Sequence, residues 1–327
     1  MDSASTPSWW LYRGTGVPLD PAERDRRWPA PPPWRTYAGV PDESAARPPD
    51  TAGTRVLGAV GGSVAADPEE VLRVNTALFL RRPLLVAGEP GSGKSALAHR
   101  IARELGLGPV LRWRITGGST LGEGLYVAAG PGVVRLGPLG TALLPRRLPR
   151  VILADDLDRS GFDLPDELLG VLEDGEFAVP ELLGAGAADG SGVLVHTCEP
   201  GVTATVREAV VRCHEPPLLI ATTGGERDLP ASFLRRCVTL DLPRMTSERL
   251  AALARSRFPA LAGEQGPLLD ALLDRAARDP GSGPVAERLL NALHLVRAGA
   301  LGGTWEGEEQ GQAALDAVWR WAAVEGP

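Results

Sequence analysis

Residues 88–95 read GEPGSGKS, the spacing G-x-x-x-x-G-K-[ST], which puts glycines, one ammonium and one hydroxyl into a single turn. Glycines let backbone N–H groups face inward onto phosphate oxygens, and the N-terminus of a following helix adds a favourable field. The apolar run RPLLVAG (82–88) reads as a buried strand and SALAHRIARELG (95–106) as a helix, the context such a loop needs. Lys94 is the only lysine in a total of 34 lysines and arginines. A chain this averse to lysine keeps one where a compact ammonium on a flexible stem must reach phosphate, a task the planar guanidinium fits poorly. Gly88, Glu89, Pro90, Gly91, Ser92, Gly93, Lys94, Ser95 and Ala96 are therefore expected to hold the phosphates of ATP, with Ser95 offering its hydroxyl to Mg²⁺.

A second stretch, VILADDLDRS (151–160), reads as a buried strand that delivers Asp155 and Asp156 at its C-terminal end. Acidic residues after an apolar strand are common as surface turns. Downstream of a phosphate loop in an α/β pattern, the first becomes the expected magnesium carboxylate. Four histidine and cysteine positions, His196, Cys198, Cys213 and His214, raise a structural metal only weakly. Cys213 and His214 are adjacent on a strand and point to opposite faces.

These groups need a scaffold, and the chain supplies one. Apolar strands RPLLVAG, VLRWRI (110–115), RVILAD (150–155), PLLIATT (217–223) and CVTLDL (237–242) alternate with helical patterns. That order predicts a mostly parallel sheet covered by helices on both sides. After residue 242 only amphipathic helical patterns remain, at 246–258, 267–279, 284–301 and 312–324. The expected division is a Pro/Trp-rich extended segment and linker (1–66), an α/β nucleotide-binding domain (67–242) and a helical lid domain (243–327).

The first segment holds many of the 30 prolines and half of the 8 tryptophans. Proline favours extended backbone. Trp9, Trp10, Trp28 and Trp34 are too many for a disordered tail, so they are expected to dock on the chain's own surface. Apolar content of 43% without a run of about 18 apolar residues, together with an N-terminus lacking a basic start, leads to the expectation of a cytoplasmic protein. Three cysteines fit a reducing compartment, and a net charge of −7 argues against nucleic acid as a partner.

The order GEPGSGKS, VILADDLDRS, LLIATTGGERDLPASFLRRC and then a helical tail resembles an AAA+ ATPase, most closely of the MoxR type. RLGPLGTALLP (135–145), LPDELLGVLEDGEFAVPEL (164–182) and GERDLPASFLRRC (225–237) carry the resemblance further. It implies a three-layer P-loop NTPase fold with an all-helical C-terminal lid. It also implies a nucleotide-dependent ring, usually a hexamer, with ATP sites between subunits. Such proteins remodel or mature partner proteins, often beside von Willebrand factor A-domain partners. Residue by residue, Lys94 and Ser95 match the phosphate loop, Asp155 the magnesium aspartate and Asp156 the catalytic glutamate. Arg236, or Arg235, matches the arginine that completes a neighbour's site. The stretch 181–192 falls where the family has a hairpin insert.

Two departures stand out. Asp156 is one methylene shorter than glutamate, and Gly224 stands where the family has a sensor asparagine. The hydroxyls of Thr222 and Thr223 are candidates to take over part of that role. The alternative to a working remodelling ATPase is thus a nucleotide-gated regulatory or assembly module with little turnover. Arg288 is the lid arginine on offer as a γ-phosphate sensor, in a pattern unlike the usual one.

Overall fold

A computed structural model of the chain describes residues 7–44, 47–58, 66–130, 133–183, 192–258, 266–278, 285–298, 313 and 316–319. In chain order the helices and strands begin with α1 (Pro21–Arg27), α2 (Thr51–Leu57), α3 (Pro68–Leu80), β1 (Leu84–Ala87), α4 (Lys94–Glu104) and β2 (Leu111–Arg114). There follow α5 (Leu121–Leu125), β3 (Tyr126–Gly130), β4 (Val133–Leu136), α6 (Pro138–Ala142), β5 (Val151–Asp155), α7 (Leu164–Asp174) and β6 (Glu176–Ala178). The remainder comprises β7 (Val193–His196), β8 (Thr203–Val206), β9 (Val210–Arg212), β10 (Leu218–Thr223), α8 (Ala231–Leu234), β11 (Val238–Asp241), α9 (Ser247–Arg257), α10 (Gly266–Arg278) and α11 (Val285–Arg297).

The five strands expected from the apolar runs form one sheet in the order β11-β1-β10-β5-β2, every pair parallel. The three central strands, β1, β5 and β10, alternate between two cores, whereas the edge strands β2 and β11 bury one face each. Leu85, Trp113, Ile152 and Leu219 face one, with Leu139, Leu168 and Phe233 from α6, α7 and α8. Leu84, Val86, Leu153 and Ile220 face the other, with Val74, Leu78, Leu97 and Ile101 from α3 and α4. Helices therefore cover both faces, and the three-layer α/β expectation holds. Burial on both sides is why the central strands read as continuous apolar runs, while β2 and β11 alternate.

A second, four-stranded sheet, β3-β4-β7-β8, was not read from the sequence as strands. The stretch 121–140 shows only as Gly-rich, and most of the expected insert at 181–192 lies outside the described residues. One buried ion pair joins this sheet to the main body. Arg150, just before β5, donates to both carboxylate oxygens of Glu199, between β7 and β8, at 2.9 and 2.7 Å. Arg150→Met strands a buried carboxylate, so it is expected to lower stability by about 3–5 kcal/mol. A urea midpoint within error of wild type would show the pair to be dispensable.

The N-terminal segment departs most from expectation. It is neither fully extended nor a loose linker. Asp20 caps α1 by accepting the N–H of Glu23, and Pro21 sits in the first turn, where proline is tolerated. Asp50 caps α2 through the N–H of Gly53, within the stretch read as linker. Leu11 and Tyr12 are fully buried against α3 and α4. Trp10 and Trp28 pack beside them, whereas Trp34 stays 78% exposed.

Past β11, α9, α10 and α11 form their own core around Leu250, Leu272, Leu289 and Leu293. Of the expected fourth helix only 313 and 316–319 are described. No helix among the described residues is long and apolar enough to cross a membrane.

Candidate functional site

β1 ends where the phosphate loop begins, at the C-terminal edge of the sheet, and α4 starts at Lys94. Gly93, the residue before α4, has φ 97°, a left-handed conformation that glycine adopts at little cost. A Cβ at Gly88 would lie 2.8 Å from Ser92 Oγ and 2.9 Å from the Leu242 carbonyl, so that position also needs its missing side chain. Lys94 Nζ donates to the carbonyls of Gly88 at 2.7 Å and Glu89 at 3.0 Å, which folds the ammonium back over the loop. Burial lowers the pKa of that ammonium, and the carboxylates of Asp156, Asp155 and Asp158 offset part of the effect. Beside the loop lies a cavity of about 430 Å³, lined on one side by Glu89, Pro90, Gly91 and Ser92 and on the other by Arg244, Met245, Leu250 and Val285. Arg244 Nε donates to Glu89 Oε1 at 2.6 Å across its edge.

β5 brings its carboxylates to the same edge because it pairs with β10, which pairs in turn with β1. Ser95 Oγ donates to Asp155 Oδ1 at 2.7 Å, and Thr222 Oγ1 donates to the same oxygen at 3.0 Å. Arg112 on β2 takes the other oxygen through Nε, at 3.0 Å, and Nη2. Burial alone would raise the Asp155 pKa, but the hydrogen bonds from Ser95, Arg112 and Thr222, with the Arg112 charge, hold it below its usual value. A carboxylate kept ionised next to a hydroxyl, at the foot of a phosphate loop, is a suitable donor pair for Mg²⁺. Among the described residues Lys94 bonds neutral carbonyls of its own loop, an arrangement phosphate oxygens can replace. The residues present thus fit a magnesium nucleotide.

Asp156 has φ 61°, and its N–H donates to Thr222 Oγ1 at 2.8 Å. Aspartate and asparagine are enriched several-fold in this left-handed region, so the backbone supplies a physical reason for the short acid. The side chain is 43% exposed and lies 3.9 Å from Arg159 Nη1. Thr222 therefore links Asp155 to Asp156. Thr223 instead accepts the Gly225 N–H at 3.0 Å and stays in its own turn.

Arg235 and Arg236 are not brought to this site. They precede β11, whose first residue pairs with Leu84 at the start of β1, whereas the phosphate loop follows the end of β1. The length of a 4-residue strand, about 13 Å, separates the two ends. Arg236 is half-exposed and lies 3.4 Å from Glu173. Within one chain it stands at the opposite end of the sheet from Lys94. Arg288 is 1% exposed and sits 6.0 Å from the Trp319 ring, within the α9–α11 helices rather than at the cavity.

Three groups escaped the sequence reading. Arg112 lies within the run VLRWRI, which the sequence marks only as a strand. Asp158 is buried, and its Oδ2 accepts the N–H groups of Gly224 at 3.1 Å and Glu226 at 2.9 Å, pinning the turn after β10. Glu226 pairs with Arg159 at 2.6 Å. The only available signal was the extra acid in DDLD. Among the described residues, no group of three or more His, Cys, Asp or Glu side chains could hold a metal.

No protein-family model matches the chain. RuvB of Anaeromyxobacter sp. (strain Fw109-5), a Holliday junction branch migration complex subunit, is 35% identical over 106 residues, or 32% of this chain and 25% of that protein. The RuvB of Kosmotoga olearia is 30% identical over 103 residues, with the same shares of 32% and 25%. The match spans about a quarter of the length of these curated relatives. In solved structures, a RuvB variant of Thermotoga maritima covers 79% of this chain and 66% of its own at 17% identity and a TM-score of 0.41. A Thermotoga maritima RuvB described as a Holliday junction branch migration motor covers 70% and 61% at 19% identity and a TM-score of 0.40. With its phosphate loop after β1, its carboxylates at the end of β5 and its all-parallel five-stranded sheet, the chain has a three-layer α/β P-loop nucleotide-binding fold.

Proposed function

We propose that this chain is an ATP hydrolase that binds ATP with Mg²⁺, assembles through nucleotide into a ring, a hexamer, and remodels a partner protein in the manner of the MoxR type. The observation that carries the reading is the cluster of Lys94, Ser95, Asp155 and Thr222 at one sheet edge, beside a cavity lined by the phosphate loop and the lid. Bound Mg²⁺ supplies charge neutralisation of the phosphate oxygens. Ser95 and Asp155 would hold it. Gly88 to Ala96 cradle the phosphates, with Lys94 on the outer pair. Asp156 orients the attacking water from its position beside Thr222. Arg236, or Arg235, reaches a neighbouring copy's site, since its place at the far end of the sheet bars it from its own.

The partner is a protein, with a von Willebrand factor A-domain protein the first candidate to try. The relatives are named for Holliday junction migration, so branched DNA belongs in the same assay as the opposing arm. The test titrates a fluorescent ATP analogue, measures phosphate release at saturating ATP and follows particle mass with and without nucleotide. Absence of binding and of any change in mass would sink the reading. Stimulation of turnover by branched DNA alone would replace the protein client with nucleic acid.

A second reading, a nucleotide-gated module with little turnover, is favoured by Asp156 and Gly224. A Cβ at Gly224 meets Asp158 Oδ2 and Glu226 Cγ only at 4.0 Å, so the backbone there accepts a side chain's first carbon. Asp156→Glu with Gly224→Asn is expected to raise turnover at least about tenfold, since misplacement by 1 Å costs roughly 10² in rate. Unchanged phosphate release from a folded double variant would count against slow chemistry arising from these two positions.

A further inference from the structure

The Asp155 carboxylate is saturated without any metal. A carboxylate offers about four lone-pair directions. Two on Oδ1 go to the hydroxyls of Ser95 and Thr222, and two on Oδ2 go to Nε and Nη2 of Arg112. The Ser95 bond is compatible with a bound cation, because a hydroxyl donates its proton while its oxygen lone pair remains available. The Arg112 bonds are not. They occupy the oxygen left for the cation or its water, and they place a positive charge where a divalent ion must come.

The strand register explains how Arg112 reaches. It sits opposite Leu153 on the parallel neighbour β5, so Asp155, two residues further on, is its diagonal neighbour on the same face. Leu111 and Trp113 point the other way, into the core. The Arg112 side chain is 41% exposed and that of Asp155 only 8%, so the arginine can swing into solvent while the carboxylate cannot follow.

We infer that Arg112 is a resident counter-cation of the candidate magnesium site: its guanidinium aims the Asp155 carboxylate and must swing away before Mg²⁺ can be held there. Resting on the nucleotide-binding reading above, this adds a positioning residue that sets how much Mg²⁺ the site requires. Arg112 does not bind the nucleotide itself, and it makes loading responsive to the metal.

The experiment titrates Mg²⁺ against a fluorescent ADP analogue bound to the full chain, reading the midpoint of the metal effect and, separately, the affinity in EDTA. Arg112→Gln is expected to lower the Mg²⁺ midpoint about three- to tenfold and leave the affinity in EDTA unchanged. Arg112→Lys, which keeps the charge but not the paired geometry, should fall between. In an Asp155→Asn background Arg112→Gln should shift nothing further. Equal weakening with and without Mg²⁺ would make Arg112 a phosphate ligand and overturn the inference, as would an unchanged midpoint. Should wild type bind no nucleotide, the function proposed above fails instead. Thermal melting of each variant checks folding, and Arg112→Lys carries the test if Arg112→Gln does not fold.

Discussion

Lys94→Arg is expected to cut phosphate release by at least about 10²-fold and to weaken ATP binding along with it, although the charge is kept. The loop is built round an ammonium. Lys94 Nζ reaches the carbonyls of Gly88 and Glu89 at 2.7 and 3.0 Å, so its stem already arches over the turn that would hold phosphate. A guanidinium is planar, longer and fixed in a fork, and cannot take that point position without pushing the loop outward. Displacement of a catalytic group by about 1 Å is enough for roughly 10² in rate. Lys94→Ala should do the same. Both variants should melt within a few degrees of wild type, since the residue lies at a half-open surface outside the three apolar cores. Turnover of Lys94→Arg within threefold of wild type would mean that only charge is needed. The single lysine would then be an accident of composition.

The parts of this site that face phosphate were legible because their chemistry forces both type and order. A loop that turns backbone N–H groups inward needs glycine, and its strand and helix have distinct periodicities. Asp155 was legible for the same reason, as the last residue of an apolar strand. What surrounds them was not. Thr222 was one of two adjacent hydroxyls, and only the strand register shows that it, rather than Thr223, meets Asp155. Arg112 carried no signal in its strand, because a diagonal contact to a strand far along the chain leaves no local mark. The shortness of Asp156 read as a defect in sequence. The structure gives it a backbone cause, the left-handed φ of 61°.

The N-terminal segment was the least legible. Proline density speaks to extended backbone and says nothing of what the backbone binds. Its anchors are buried polar groups on distant helices. Asn75 accepts the N–H groups of Leu11 at 2.8 Å and Tyr12 at 3.0 Å, and donates to the Tyr12 carbonyl at 2.7 Å. Tyr12 OH donates to Glu70 at 2.7 Å, which Arg100 of α4 also meets at 2.6 Å. One sequence signal did exist. Glu104 is an acid in the last turn of α4, where the helix field favours a cation. A residue placed against that preference is held by something else.

That something is the turn RGTG at 13–16, and it yields the second large prediction. Glu104 is fully buried. Its Oε1 accepts the N–H of Arg13 at 2.5 Å and of Gly14 at 3.1 Å, and its Oε2 accepts the N–H of Gly16 at 2.9 Å and the Thr15 hydroxyl at 3.3 Å. Gly14 and Gly16 take φ of 70° and 66°, which turns successive N–H groups toward one anion. Glu104→Ala leaves three backbone donors facing a cavity and is expected to cost about 3–5 kcal/mol, at about 1–3 kcal/mol for each donor that water fails to reach. Glu104→Gln does not rescue it, because the amide turns one of the two acceptors into a donor facing an N–H. A denaturation midpoint shift worth less than about 1 kcal/mol in Glu104→Ala would show that solvent enters the turn freely. Because α4 runs from Lys94 to Glu104, the same carboxylate fixes the far end of the helix whose first turn carries the phosphate loop. Loosening the N-terminal turn should therefore also weaken nucleotide binding, while Arg150→Met, whose partners are Glu199 and the Pro109 carbonyl, should lower stability and leave that affinity alone.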